Sequence, residues 1–102
     1  MLASFAVIPV GSNEELKELV AAIIDIIDKS GLPYTLGAMQ TTIEGDEDEV
    51  MALIMKCHKR MREMAPRVLT SITIDDRADA NNRLKGKISD VEEVLGRNLS
   101  HE

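Results

Sequence analysis

The first residues are apolar at nearly every position rather than at alternate ones. Ala3-Ser4-Phe5-Ala6-Val7-Ile8-Pro9-Val10 carries no charge, and a short apolar run ended by a breaker reads as a strand. Ala3, Phe5, Val7 and Pro9 share one face; Ser4, Ala6, Ile8 and Val10 share the other. A strand covered on one side only shows a polar face, so this pattern predicts a sheet covered on both sides. After Gly11-Ser12-Asn13 the period lengthens to that of a helix. Leu16, Leu19, Val20, Ile23, Ile26 and Ile27 line one face up to about Ser30, and Ile24 widens it. Ser12 and Glu15 have capping-box spacing, and Gly31 is placed as the helix stop.

From Leu32 to Gly45 the chain suits a tight hairpin: Tyr34 to Ala38, a turn near Met39-Gln40, then Thr41 to Glu44. Thr and Ile favour extended chain. Gly37 weakens the first strand and marks either a bulge or the close approach of a ligand. Asp46-Glu47-Asp48-Glu49 opens a second helix, with Lys56, Lys59, Arg60 and Arg62 toward its other end, both placements complementing the helix dipole. Its apolar face is Val50, Leu53, Ile54, Cys57, Met61 and Met64, and Pro66 ends it. Arg67 to Asp75 alternates as a strand. Val68, Thr70, Ile72 and Ile74 belong against the helices, whereas Leu69, Ser71, Thr73 and Asp75 suit a wet cleft or a subunit contact. Asp76 to Lys87 is a polar connection. Ser89 and Glu92 then start a short third helix carrying Val91, Val94 and Leu95, and the tail from Asn98 frays.

The order β-α-β-β-α-β-α, with right-handed crossovers, predicts an α+β fold: a ferredoxin-like βαββαβ sandwich with an added C-terminal helix. The helices cover one face of a four-stranded antiparallel sheet. The apolar character of the first strand implies that a partner sheet covers the other, hence a homo-oligomer.

Composition narrows the function. The 102 residues make one domain, 1–102. Twelve Lys+Arg against 18 Asp+Glu leave a net charge of -6, and Phe5 and Tyr34 are the only rings. Such a chain lacks both the positive charge that neutralises phosphates and a base-stacking platform, which argues against nucleic acid. No stretch approaches a membrane span, the start lacks a basic leader, and one cysteine excludes an intramolecular disulfide. The expectation is a cytoplasmic protein that does not engage membranes.

No phosphate loop or other cofactor motif is present, so no cofactor is expected. Cys57 and His58 are neighbours about 100° apart around a helix and cannot act as a nucleophile-base pair. Cys57 reads as packing, and His58 as a solvated member of the basic helix end. His58 and His101 with one cysteine do not make a zinc site. Asp75-Asp76-Arg77-Ala78-Asp79 offers carboxylates to a cation and Arg77 to an anion, or is simply a strand end dissolving into a charged loop. In Met39-Gln40-Thr41-Thr42-Ile43-Glu44-Gly45, Thr42 and Glu44 lie on one face and Thr41 and Ile43 on the other. With Ile43 under the second helix, Thr42 and Glu44 look out from the opposite face. Near Met39 and Tyr34 they suit a flat heterocycle, with the ring against thioether or phenol and its edge on hydroxyl and carboxylate. The plain alternative is the ordinary β-propensity of threonine beside an exposed glutamate.

Together these segments resemble the small thiamine-binding protein family. The matching pieces are Val7-Ile8-Pro9-Val10-Gly11, Ser30-Gly31-Leu32-Pro33-Tyr34, Met39 to Gly45, Asp48-Glu49-Val50, Arg67-Val68-Leu69-Thr70 running to Ile74-Asp75-Asp76-Arg77, and Gly86-Lys87. They span nearly the whole chain in order. Where the family pattern often has proline before the hairpin methionine, this chain has Ala38, which loosens the turn. The resemblance implies a ferredoxin-like fold, association into dimers and a dimer of dimers, and binding of thiamine or its hydroxymethylpyrimidine moiety. It carries a ligand role to Tyr34, Met39, Thr41, Thr42 and Glu44, and further to Ser12, Asp76 and Arg77. The expected function is therefore non-catalytic binding, with no catalytic or metal-ligating residue. The alternatives are a small enzyme using Glu44 or the Asp75-Asp76 pair as base, or a structural or regulatory oligomeric module.

Overall fold

A computed structural model describes residues 1–78. The expected third helix, Asp79, most of the connection to Lys87 and the tail with His101 lie outside the described residues. Six elements follow in order: β1 (Leu2–Val10), α1 (Leu16–Lys29), β2 (Tyr34–Leu36), β3 (Thr41–Glu44), α2 (Glu47–Met64) and β4 (Arg67–Asp75). The fold is α+β, with one four-stranded antiparallel sheet in the order β2-β3-β1-β4 and two helices. The βαββαβ element order fits a ferredoxin-like arrangement.

Register fixes which side chains share a face. Ala3 lies opposite Ile43 and Ile74, and Phe5 opposite Thr41 and Ile72. Ala3, Phe5 and Ile43 are buried with Leu19, Ile23 and Ile27 of α1 and Val50, Leu53, Ile54, Cys57 and Met61 of α2. This is the helix face, and both helical stripes read from the sequence supply it. Each large aliphatic side chain buried here contributes about 1.5–3 kcal/mol. The opposite face carries Ser4, Thr42 and Thr73 in one row and Ile8 beside Leu69 in another. Ile8 is 50% and Leu69 49% exposed.

Several local expectations are corrected. α1 begins at Leu16 with Glu15 as N-cap, and no side chain caps it. Ser12 is therefore not half of a capping box. Its Oγ accepts from the Glu14 N–H (3.1 Å) and donates to the Met64 carbonyl (3.2 Å), tying the β1–α1 loop to the end of α2. The hairpin turns at Ala38-Met39, with the Gly37 N–H donating to the Gln40 carbonyl at 2.9 Å. A Cβ on Gly37 would stand 2.6 Å from that same carbonyl oxygen, so the close approach that demands glycine is the hairpin's own backbone. His58 is half-buried rather than solvated, and its Nδ1 lies 2.7 Å from Thr70 Oγ1. Ile72 and Ile74 face the helix side as expected, yet both remain exposed, because α2 covers β1 and only the first part of β4.

Candidate functional site

β1 is nine residues long and β3 only four. The two pair from Leu2↔Glu44 to Phe5↔Thr41, and there β3 gives way to the hairpin turn. Beyond that point Ala6 to Val10 pair with β4 alone. The space that β3 leaves open is a cavity of about 310 Å³. Its floor is β1 from Phe5 to Pro9, one wall is Leu16, Val20, Ile23, Ile24 and Ile27 of α1, and the rim is the hairpin from Leu36 to Thr41. The volume lies at the small end of the roughly 300–1,000 Å³ typical of ligand sites, enough for one or two small rings.

The hydrophobic stripe of α1 explains the wall. Leu19, Ile23 and Ile27 fill the core, while Leu16 and Val20, 61% and 39% exposed, overhang the cavity with Ile24. The apolar set Leu16, Val20 and Ile24 at i, i+4 and i+8 was the signal for a second apolar surface, but the sequence reading placed Leu16 and Val20 on the core face and took Ile24 only as widening it. Phe5 supplies the one ring in the lining, with Met61 behind it and Met39, 88% exposed, at the mouth.

The polar content is sparse. None of the described residues lining the cavity has an acidic or basic side chain. The side-chain polar groups there are the Thr41 hydroxyl and the Gln40 amide. Gln40 reaches to the other face: Ser4 Oγ donates to its Oε1 at 2.7 Å and its Nε2 donates to Ser71 Oγ at 3.4 Å. Gln40 was not among the residues singled out from the sequence, although its even position beside Thr42 places it on that face.

Backbone direction adds a further feature. Met1 and Gly45 exchange both hydrogen bonds, N to O distances being 2.9 and 3.1 Å. Successive residues of a strand turn their backbone groups to opposite neighbours, so Met1, Ala3 and Phe5 face β3. Val7 and Pro9 continue that series, and on this side, away from β4, no strand of the described residues pairs with them. The edge of β1 bordering the cavity therefore presents Val7 N–H, Val7 C=O and Pro9 C=O.

The residues named from the sequence are not gathered in one place. Thr41 and Met39 line the cavity. Thr42 and Glu44 lie on the opposite sheet face, level with Ser4 and Leu2. Tyr34 pairs with Ile43 on the helix side, and its hydroxyl donates to Asp28 Oδ1 at 2.7 Å. That hydrogen bond, more than desolvation or the carboxylate charge, raises the Tyr34 pKa above its ordinary value. Ser12 sits in the β1–α1 loop, and Asp76 and Arg77 are exposed beyond β4, at the end of the sheet away from the hairpin turn. Among the described residues no group of three or more His, Cys, Asp or Glu could hold a metal ion, and no helix is long and apolar enough to cross a membrane.

Comparison with known proteins places the sequence and fold in a family. A UPF0045 protein of Mycobacterium bovis is 37% identical over 96 residues, covering 93% of this chain and 94% of that one. The crystal structure of a hypothetical protein from Methanocaldococcus jannaschii superposes with a TM-score of 0.81 at 29% identity, over 90% of this chain and 95% of the other. A Thermotoga maritima structure, whose protein is assigned provisionally to thiamine biosynthesis or salvage, has a TM-score of 0.77 at 26% identity, over 88% and 96% of the two chains. The sequence pattern of the family described as thiamine-binding protein matches residues 3–92. This chain belongs to that thiamine-binding protein family.

Proposed function

We propose that the protein binds thiamine or its hydroxymethylpyrimidine moiety without catalysing a reaction, as a cytoplasmic homo-oligomer, and that the pyrimidine occupies the cavity beside β1. The observation that carries this reading is the character of that cavity: about 310 Å³, walled by aliphatic side chains, with no acidic or basic side chain among the described lining residues. A binder needs shape and a few directional hydrogen bonds, both of which the site offers. An enzyme acting there would need an acid or base, and the Thr41 hydroxyl has none beside it among the described lining residues to activate it.

The same character selects a part of thiamine. The thiazolium is a permanent cation, and sinking it among Val20, Ile23 and Ile24 without a counter-charge costs several kcal/mol. The aminopyrimidine is flat and neutral. It fits the cavity, with Thr41 near its edge, while the thiazolium stays at the mouth by Met39 in solvent. The net charge of -6 favours the cation modestly at long range. Assembly follows from the other face, where Ile8, Val10 and Leu69 are exposed around Ser4, Ser71 and Thr73, a surface suited to a second sheet.

Thermal unfolding with millimolar thiamine and hydroxymethylpyrimidine tests the reading. At a hundredfold excess over the dissociation constant, stabilisation is about 2.7 kcal/mol. Both compounds raise the melting temperature, and their affinities agree within about tenfold because the buried part is shared. No shift with either compound contradicts the proposal.

A further inference from the structure

We propose that the main chain of Val7 is the specificity-determining element of the cavity, reading a ring nitrogen and its adjacent amino group as a paired acceptor and donor. The inference rests on the cavity being the pyrimidine site. In an extended residue the N–H and C=O point the same way, side by side. At Val7 both are turned into the opening that β3 leaves. A 4-aminopyrimidine presents a ring nitrogen that accepts from the Val7 N–H, next to an amino group that donates to the Val7 C=O.

The side chains in the lining do not offer that pair. The Gln40 amide is already held by Ser4 and Ser71, and Thr41 contributes a single hydroxyl. Backbone groups left unpaired at a half-buried edge are costly, so a ligand that matches them gains both hydrogen bonds and relief of that cost.

The edge is also shaped to refuse a peptide. Strand addition needs a run of unpaired N–H and C=O groups. Here the Gly37–Gln40 turn closes one end. At the next outward-facing position Pro9 has no N–H to give, a known way of blunting an edge. What remains is a slot one residue long, which suits a small ring rather than a strand.

Amide hydrogen exchange of the 15N-labelled protein, free and saturated with thiamine, tests this directly. The Val7 amide is expected to exchange at least about tenfold more slowly with thiamine, while Ala6 and Ile8, already bonded toward β4, change little. Val7→Pro removes the donor at a site where the strand already tolerates Pro9, and lowers thiamine affinity about tenfold with the fold intact by circular dichroism. Thiamine that shifts the signals of Val20, Leu36 and Met39 yet leaves Val7 exchange unchanged overturns the main-chain assignment and keeps the cavity. Thiamine that shifts none of them overturns both. Val7 protection in the free protein that grows with protein concentration assigns the edge to a second copy and also overturns the proposal.

Discussion

At the residue scale, Cys57 and Gly37 show how far environment overrides residue type. Cys57 is fully buried on the α2 stripe, and burial pushes its thiol from an ordinary 9.0 up to about 11. A thiol so placed stays protonated and unreactive. Above pH 9 the unfolded chain loses this proton first and so binds fewer protons than the folded one. Stability therefore declines from about pH 9 to about pH 11. Urea unfolding across that range should show the decline in the wild type and a shallower one in Cys57→Ala. Gly37 has no room for a side chain, because the Gln40 carbonyl stands 2.6 Å from where a Cβ would be. Gly37→Ala is expected to cost about 1–3 kcal/mol in the same measurement, and to weaken thiamine binding because it distorts the rim of the cavity.

At the scale of elements, the helix stripes, the Ile43 side of β3 and the alternation of β4 were legible because each is a period that a sequence displays. The cavity was not. It arises from a mismatch in length, nine residues in β1 against four in β3; the sequence showed both lengths, but not the register that pairs β3 with Leu2 to Phe5 alone and leaves the rest of β1 open beside α1. The same limit scattered the candidate residues. Thr41 and Thr42 are neighbours in sequence but lie on opposite faces of one strand, and the sheet separates Thr41 from Glu44 by a further ~10 Å along β3. Thr41→Val should therefore weaken thiamine binding about two- to tenfold, the worth of one hydrogen bond, whereas Thr42→Val and Glu44→Gln change it by less than about twofold. Isothermal calorimetry on the three variants checks this. Equal losses from Glu44→Gln and Thr41→Val would move the site to the other face.

For the whole molecule, the absence of a charged face on β1 was the informative feature. On its helix side Ala3 and Phe5 are buried under α1 and α2, and its far side keeps Ile8 exposed beside Leu69 of β4. An apolar patch of this kind suits the sheet-to-sheet assembly proposed above. Leu69 lies on that face and outside the cavity lining, so Leu69→Glu tests assembly separately from binding. Light scattering after size exclusion should show a smaller species for the variant than for the wild type, with thiamine affinity unchanged within about threefold. A monomeric wild type would remove the sheet-to-sheet assembly from the account.

The central claim is that the pyrimidine of thiamine occupies the cavity between α1, the hairpin turn and the free edge of β1. Calorimetric titration of hydroxymethylpyrimidine into the wild type and into Val20→Trp tests it most directly. Val20 is 39% exposed on the cavity wall, so the indole fills the cavity without displacing the core. The expected result is saturable heat with the wild type and at least about tenfold weaker binding with a folded variant. Undiminished binding to Val20→Trp, or no binding to the wild type, contradicts it.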